Sequence, residues 1–149
     1  MITKEDKIQK SCCFYASDYH LEMIILPYIN KKIDEKAQVT IITEKNLSKT
    51  IETVVSKINL PEQRKQEILE IDWKNNKNNQ IGELINTKKE VAIFVIGSKK
   101  YIEKTNKEID NINKIENINI VNCYNFQEVK NNMVEIVDKH KKVINSSSN

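Results

Sequence analysis

The nine residues "EVAIFVIGS", positions 90–98, constrain this chain more than any other stretch. All six side chains at 91–96 are apolar, so the run has no polar face to offer water. Successive side chains of a strand point to opposite sides, and such a strand therefore has to be covered on both. Helices packed on the two faces of a parallel sheet meet that demand. The run predicts a central strand in a three-layer α/β sandwich.

The remaining sequence alternates accordingly. An apolar run at 11–16 reads as the first strand, and Leu21, Ile24, Ile25, Tyr28, Ile29 and Ile33 then recur at helical spacing through Pro27, where a kink is expected. "AQVTIITE" is a second strand. Leu47, Ile51, Val54, Val55 and Ile58 make the stripe of a second helix, ended near "INLP", and Pro61 opens a further short helix through Leu69. "ILEIDW" reads as a third strand, followed by a turn-forming loop, "KNNKNN", and a short helix carrying Ile81, Leu84 and Ile85. Beyond the central run, Tyr101, Ile102, Thr105, Ile109 and Ile112 mark another helix. "INIVNCYNF" follows as an edge strand, and Phe126, Val129, Met133, Ile136, Val137 and His140 line a last helix before the tail "NSSSN". Five strands each followed by helix predict a mainly parallel five-stranded sheet of Rossmann-like layout. One α/β domain over 1–149 is expected, with 1–10 as a lead and 145–149 as a disordered tail.

Charge and length exclude several classes. The formal charge of +3 comes from 24 basic and 21 acidic residues spread along the chain, which describes a solvated surface. Arg64 is the sole arginine, and arginine is the residue of bidentate phosphate and guanine recognition, so no nucleic-acid partner is expected. No apolar run approaches the roughly 20 residues of a membrane span. The charged opening "MITKEDKIQK" has no signal-like apolar core, so a cytosolic protein with no membrane partner is expected. Three cysteines, with Cys12 and Cys13 adjacent and Cys123 distant, match no zinc spacing. They read as buried free thiols; a redox role for Cys12 or Cys13 would require exposure.

Ligands of open parallel sheets bind beyond the carboxyl ends of the strands. That rule collects Ser17, Asp18, Tyr19 and His20; Thr43, Glu44 and Asn46; Asp72, Trp73, Lys74 and Asn75; Gly97, Ser98, Lys99 and Lys100; and Tyr124 with Asn125. Phosphate-cradling loops need several glycines, and the chain has 2, Gly82 and Gly97, so neither the P-loop nor the dinucleotide fingerprint is present and no cofactor is expected. A phosphoacceptor receiver would match Asp18, Asp72 and Ser98. It would also require a second acid beside Asp18 and a lysine after the fifth strand, and neither is there.

Ser17 or Asp18 suits a helix cap, and Glu22 lies where the helix dipole favours an anion. Tyr19 and His20 are not needed for capping. His20 is either a general base or a ligand contact, and without a visible nucleophile contact is the preferred reading. His140 reads as packing or as a partner of the helix C-terminus, while Trp73 either plugs the sheet edge or offers a flat wall to a ligand.

The stretch "CCFYASDYHLEMIILPYINKKIDEKAQVTIITE" with "LEIDWKN" resembles the MEDS sensory domain, a RecA-like α/β module lacking a working P-loop. The likeness covers residues 11–75 and lies in Phe14 and Tyr15 closing the first strand, a helix of about sixteen residues, Thr43 and Glu44 ending the second strand, and the pair Asp72, Trp73. It implies sensing of a small molecule rather than turnover, with output through a separate partner protein. The chain departs from the family in lacking glycine before the second strand. The expectation is thus a non-enzymatic, regulatory ligand-binding domain whose contacts come from Ser17, Asp18, Tyr19, His20, Thr43, Glu44, Asp72, Trp73 and Ser98. The alternatives are a pure protein-interaction module, or a small enzyme using His20, Asp18 and Asp72.

Overall fold

The computed structural model describes residues 8–74, 89–112 and 117–145. Among them four strands, β1 (Ile8–Tyr15), β2 (Gln38–Thr43), β3 (Val91–Gly97) and β4 (Ile118–Asn125), form one parallel sheet in the order β1-β4-β3-β2. Helix α1 (Asp18–Asp34) follows β1, α2 (Ser48–Lys57) and α3 (Glu62–Glu70) follow β2, and α4 (Lys99–Asp110) follows β3. Two short helices, α5 (Phe126–Val129) and α6 (Met133–Asp138), come after β4.

Both faces of the sheet are covered, as the apolar run in β3 demands. Ala92, Phe94 and Ile96 pack with Leu21, Ile25 and Ile29 of α1, Ile51 and Val55 of α2, and Ile68 of α3. Ile93 and Val95 pack on the other side with Ile102 and Ile109 of α4 and with Ile136 of α6. Phe94 has no exposed surface and meets the edge of Tyr28 at a centroid distance of 5.7 Å. Helix α1 continues through Pro27, whose position on the exposed side spares the core. No helix among the described residues is long and apolar enough to cross a membrane.

Three expectations are corrected. Among the described residues the sheet has four strands rather than five, because "ILEIDW" is not a strand: Ile68, Leu69 and Glu70 finish α3 and the chain then turns into a loop. Ile68 and Ile71 are spaced as on a helix while Leu69, Ile71 and Trp73 alternate as on a strand, and a short apolar run fits both periods. Strand β4 is inside the sheet, between β1 and β3, not at its edge. Finally, the stripe from Phe126 to His140 is carried by two helices, interrupted at Lys130, Asn131 and Asn132, where two poor helix formers adjoin. Most of "KNNKNN", the helix expected around Ile81, Leu84 and Ile85, and nearly all of the tail lie outside the described residues.

Cys12 and Cys13 are fully buried on opposite faces, Cys13 beside its register partner Cys123. Burial, with the neighbouring Cys13, pushes the Cys12 thiol up to about 12, and burial likewise raises Cys123. A thiolate is the reacting species. A disulfide reagent is therefore expected to leave the folded protein unmodified at pH 8 and to titrate all 3 cysteines in denaturant; fast labelling of the native chain would show that one of them reaches solvent.

Candidate ligand site at the strand ends

The chain beyond each strand is shaped by its own polar side chains. Past β1, Ser17 adopts an extended conformation and its hydroxyl accepts from the amide of His20 at 3.1 Å, capping α1. His20 answers by accepting the amide of Ala16 on Nδ1 at 2.8 Å. With Nδ1 used as an acceptor, the proton of the neutral imidazole sits on Nε2, so that nitrogen has no lone pair to act as a base. His20 is thus the second half of a reciprocal cap, and Tyr19 beside it is 51% exposed. Asp18, in the first turn, pairs with Lys45.

After β2, the buried hydroxyl of Thr43 donates to the carbonyl of Lys45 at 2.7 Å and accepts its amide at 3.2 Å, closing the turn that aims Glu44 and Lys45. The amide of Glu44 extends the ladder to Ile96 at 2.8 Å. Its carboxylate, through Oε1, accepts the amide of Ser98 at 2.8 Å, one residue before α4. Glu128 of α5 accepts the next amide, that of Lys99, at 3.0 Å, and the Ser98 hydroxyl accepts that of Tyr101 at 3.1 Å. Two amides at the start of α4, those of its cap Ser98 and of Lys99, free to bind an anion in many α/β folds, are occupied here by two carboxylates of the same chain.

Gly97 makes this possible. A Cβ built there would lie 2.7 Å from Cδ2 of Tyr101 and 2.8 Å from Oε1 of Glu44, closer than real contacts allow. Only glycine lets the Glu44 carboxylate reach across to Ser98.

These loops enclose an open cleft of about 600 Å³ at the carboxyl ends of all four strands, lined by Tyr15, Glu44, Lys45, Gly97, Ser98, Asn125, Gln127 and Glu128. The Lys45 ammonium stands 5.5 Å from the centroid of the Tyr15 ring, over its face. Burial holds the Tyr15 phenol well above its ordinary range, so it stays a neutral hydrogen-bonding group.

Of the expected contacts, Glu44 and Ser98 line this cleft, and Asp18 touches it through Lys45. Ser17, His20 and Thr43 build its turns. Asp72 and Trp73 do not join it: they line a separate depression with Ser48, Ile51, Glu52 and Leu69, between α2 and the end of α3. Asp72 accepts the amide of Lys74 at 2.9 Å in a local turn, and Trp73 is 2% exposed. The receiver-like trio Asp18, Asp72 and Ser98 is therefore not assembled, nor is a His20–Asp72 pair. Tyr15, Lys45, Gln127 and Glu128 are the lining residues that strand-end reasoning missed. A signal for the last two exists, since Asn125 accepts the amide of Gln127 at 2.9 Å and an asparagine followed by such residues marks a helix start at the rim.

Behind the cleft, Glu22 of α1 is fully buried. Its Oε2 accepts from the Thr50 hydroxyl at 2.5 Å, while Oε1 is buried with no partner. Burial, with Asp18 adding to it and Thr50 and Lys45 opposing, pushes this carboxyl up to about 7. Among the described residues no three His, Cys, Asp or Glu side chains gather in a metal-binding arrangement.

No family model matches the chain, and no curated protein or solved structure does.

Proposed function

We propose that the strand-end cleft binds a small polar molecule rich in hydrogen-bond donors, such as an amine or an amino acid, and that the domain reports on that ligand rather than transforming it. The observation that carries this reading is the meeting of Glu44 and Glu128 on the neighbouring amides of Ser98 and Lys99 at the start of α4. They fill the position a phosphate would take, and they add two carboxylates to a lining whose one ammonium among the described residues, Lys45, is engaged with Asp18. The lining thus repels anions and offers acceptors. In this reading the domain, a parallel sheet covered by helices on both faces, is Rossmann- or RecA-like. Its regulatory form is a sensory role through a separate partner, as the likeness of residues 11–75 to MEDS domains implies.

A thermal-shift panel of free amino acids and polyamines, with inorganic phosphate and nucleotides as controls, tests it. Stabilisation by an amine-bearing compound and none by phosphate is expected. Gly97→Ala, which displaces Glu44, should abolish that shift while lowering stability by about 1–3 kcal/mol through overpacking. Stabilisation by phosphate or nucleotide alone would overturn the reading.

A second reading, a protein-interaction module, draws on a different observation. Met23, Leu26, Pro27, Ile58 and Leu60 line an apolar groove between α1 and the chain joining α2 to α3, with Met23 50% exposed.

A further inference from the structure

Between α4, β4 and the end of α6 runs a series of hydrogen bonds whose proton positions are fixed from both ends. Asn106 of α4 donates through Nδ2 to the carbonyl of Ile102 and to Oδ1 of Asn122, each at 2.8 Å. That orientation leaves Nδ2 of Asn122 facing Oδ1 of Asn106 at 3.3 Å and Nε2 of His140 at 2.9 Å. At the other end, Nδ1 of His140 lies 2.6 Å from the carbonyl of Ile136, which can only accept. Nδ1 therefore carries the imidazole proton and Nε2 accepts from Asn122, so the series closes only with a neutral His140 in one tautomer.

A second proton would set an N–H of His140 against the amide N–H of Asn122. Asn122 cannot turn its carbonyl toward the ring without losing its bonds to Asn106, and both asparagines are buried, where an unpaired polar group is costly. The charges facing the ring reinforce this. Lys10 of β1 and Lys139 of the same segment oppose a positive imidazole; the neutral Tyr124 of β4 stands at right angles to it, 6.1 Å between centroids; and Asp110 of α4 is engaged with Lys10 at 3.2 Å. Burial above all, with the two lysines and against the bond to Ile136, holds His140 below its ordinary 6.5.

The residues that follow His140 lie along the outer edge of β1. Lys141 donates its amide to the carbonyl of Lys10 at 2.7 Å, Cys12 to that of Lys142 at 3.1 Å, and Ile144 to that of Cys12 at 2.8 Å, with a parallel bridge between Cys12 and Val143. This strap is the only cover on an edge whose unpaired groups would otherwise invite strand pairing, counted among the described residues.

We propose that His140 is an acid-sensitive latch: its protonation breaks the Asn106–Asn122–His140 series and frees residues 141–144 from β1, baring that edge of the sheet. The closed form needs the neutral ring, so closure is complete above the ordinary imidazole value and is lost as pH falls below it. Proton linkage limits the gain in the opening constant to at most about thirtyfold between neutral pH and pH 5.

Amide hydrogen exchange on the intact chain, corrected for the intrinsic effect of pH, tests the latch. From pH 7.5 to 5.0 the protection of Cys12 and Ile144 should fall by about tenfold, within that limit, while that of Phe94 in β3 does not fall. His140→Gln should abolish the pH response. Asn122→Asp, which offers the charged ring an acceptor, should keep the strap protected at pH 5.0. No loss in the wild type, or an equal loss in His140→Gln, would overturn the proposal; should His140→Gln fail to fold, loss of protection in Asn122→Asp equal to that of the wild type does so instead.

Discussion

Replacing Trp73 by alanine is expected to lower the unfolding free energy by about 3–5 kcal/mol, the range for a large aromatic removed from a packed interior. The indole is 2% exposed in the cluster that also holds Ile51, Val55 and Ile68, and its Nε1–H donates to the carbonyl of Ile68 at 2.9 Å. Its backbone carbonyl accepts the amide of Leu47 at 2.9 Å, one residue before α2. Trp73 therefore ties the exit of α3 to the entrance of α2, and the variant loses the packing and the indole bond to Ile68 while the backbone bond to Leu47 remains. Trp73→Phe retains most of the apolar contact, and the Ile68 carbonyl keeps a bond from Ile71 at 3.2 Å, so a smaller loss of about 1–2 kcal/mol is expected. Urea denaturation followed by circular dichroism measures both, since the only tryptophan is the one removed. A loss below 1 kcal/mol in the alanine variant would mean that the ring stands in an open wall and not in the core.

Trp73 also shows where reading the chain by pattern succeeds and where it stops. The burial of β3 was legible because six apolar residues in succession admit no exposed face, and a cap at Ser17 or Asp18 because both directly precede a helical stripe; the structure chooses Ser17. The sequence from Ile68 to Trp73 satisfies two periods at once; the helix keeps Ile68 to Glu70, and Trp73, in the loop beyond, joins Leu47 and Ile51 in the same core cluster. Strand β4 read as an edge because Asn119 and Asn122 interrupt its apolar pattern. Asn122 is nonetheless 2% exposed, satisfied by Asn106 and His140, partners that no local pattern connects to it. At the cleft, the strand-end rule found Glu44, Gly97, Ser98 and Asn125 because it selects backbone positions. It missed Lys45 and Glu128, whose inclusion depends on how far a side chain reaches and, for Glu128, on the break in the last helical stripe.

Glu22→Gln is expected to stabilise the protein by about 2–3 kcal/mol at pH 8 and to leave it nearly unchanged at pH 4.5. The carboxyl rises from an ordinary 4.5 to about 7 on folding, chiefly through burial. Below 4.5 the folded and unfolded chains both hold the proton and Glu22 contributes no pH dependence. Between 4.5 and 7 only the folded chain holds it, so stability falls as pH rises; above 7 the whole cost of a buried charge is present, about 3 kcal/mol from that difference. Glutamine keeps the shape, accepts from Thr50 through its carbonyl, and presents an amide where the protonated acid presents a hydroxyl, so it imitates the neutral form at every pH. Urea midpoints of both proteins at pH 4.5, 6 and 8 decide the matter: curves that diverge as pH rises identify a titrating Glu22, whereas a constant offset would show that the carboxyl is ionised throughout. His140 has the opposite sign, since its folded form disfavours the proton and is weakened as pH falls below 6.5. Buried Glu22 and half-buried His140 therefore bound stability from opposite sides, His140 on the acid limb and Glu22 on the alkaline one. Glu22→Gln should remove the alkaline limb alone, leaving the acid limb to the strap at β1.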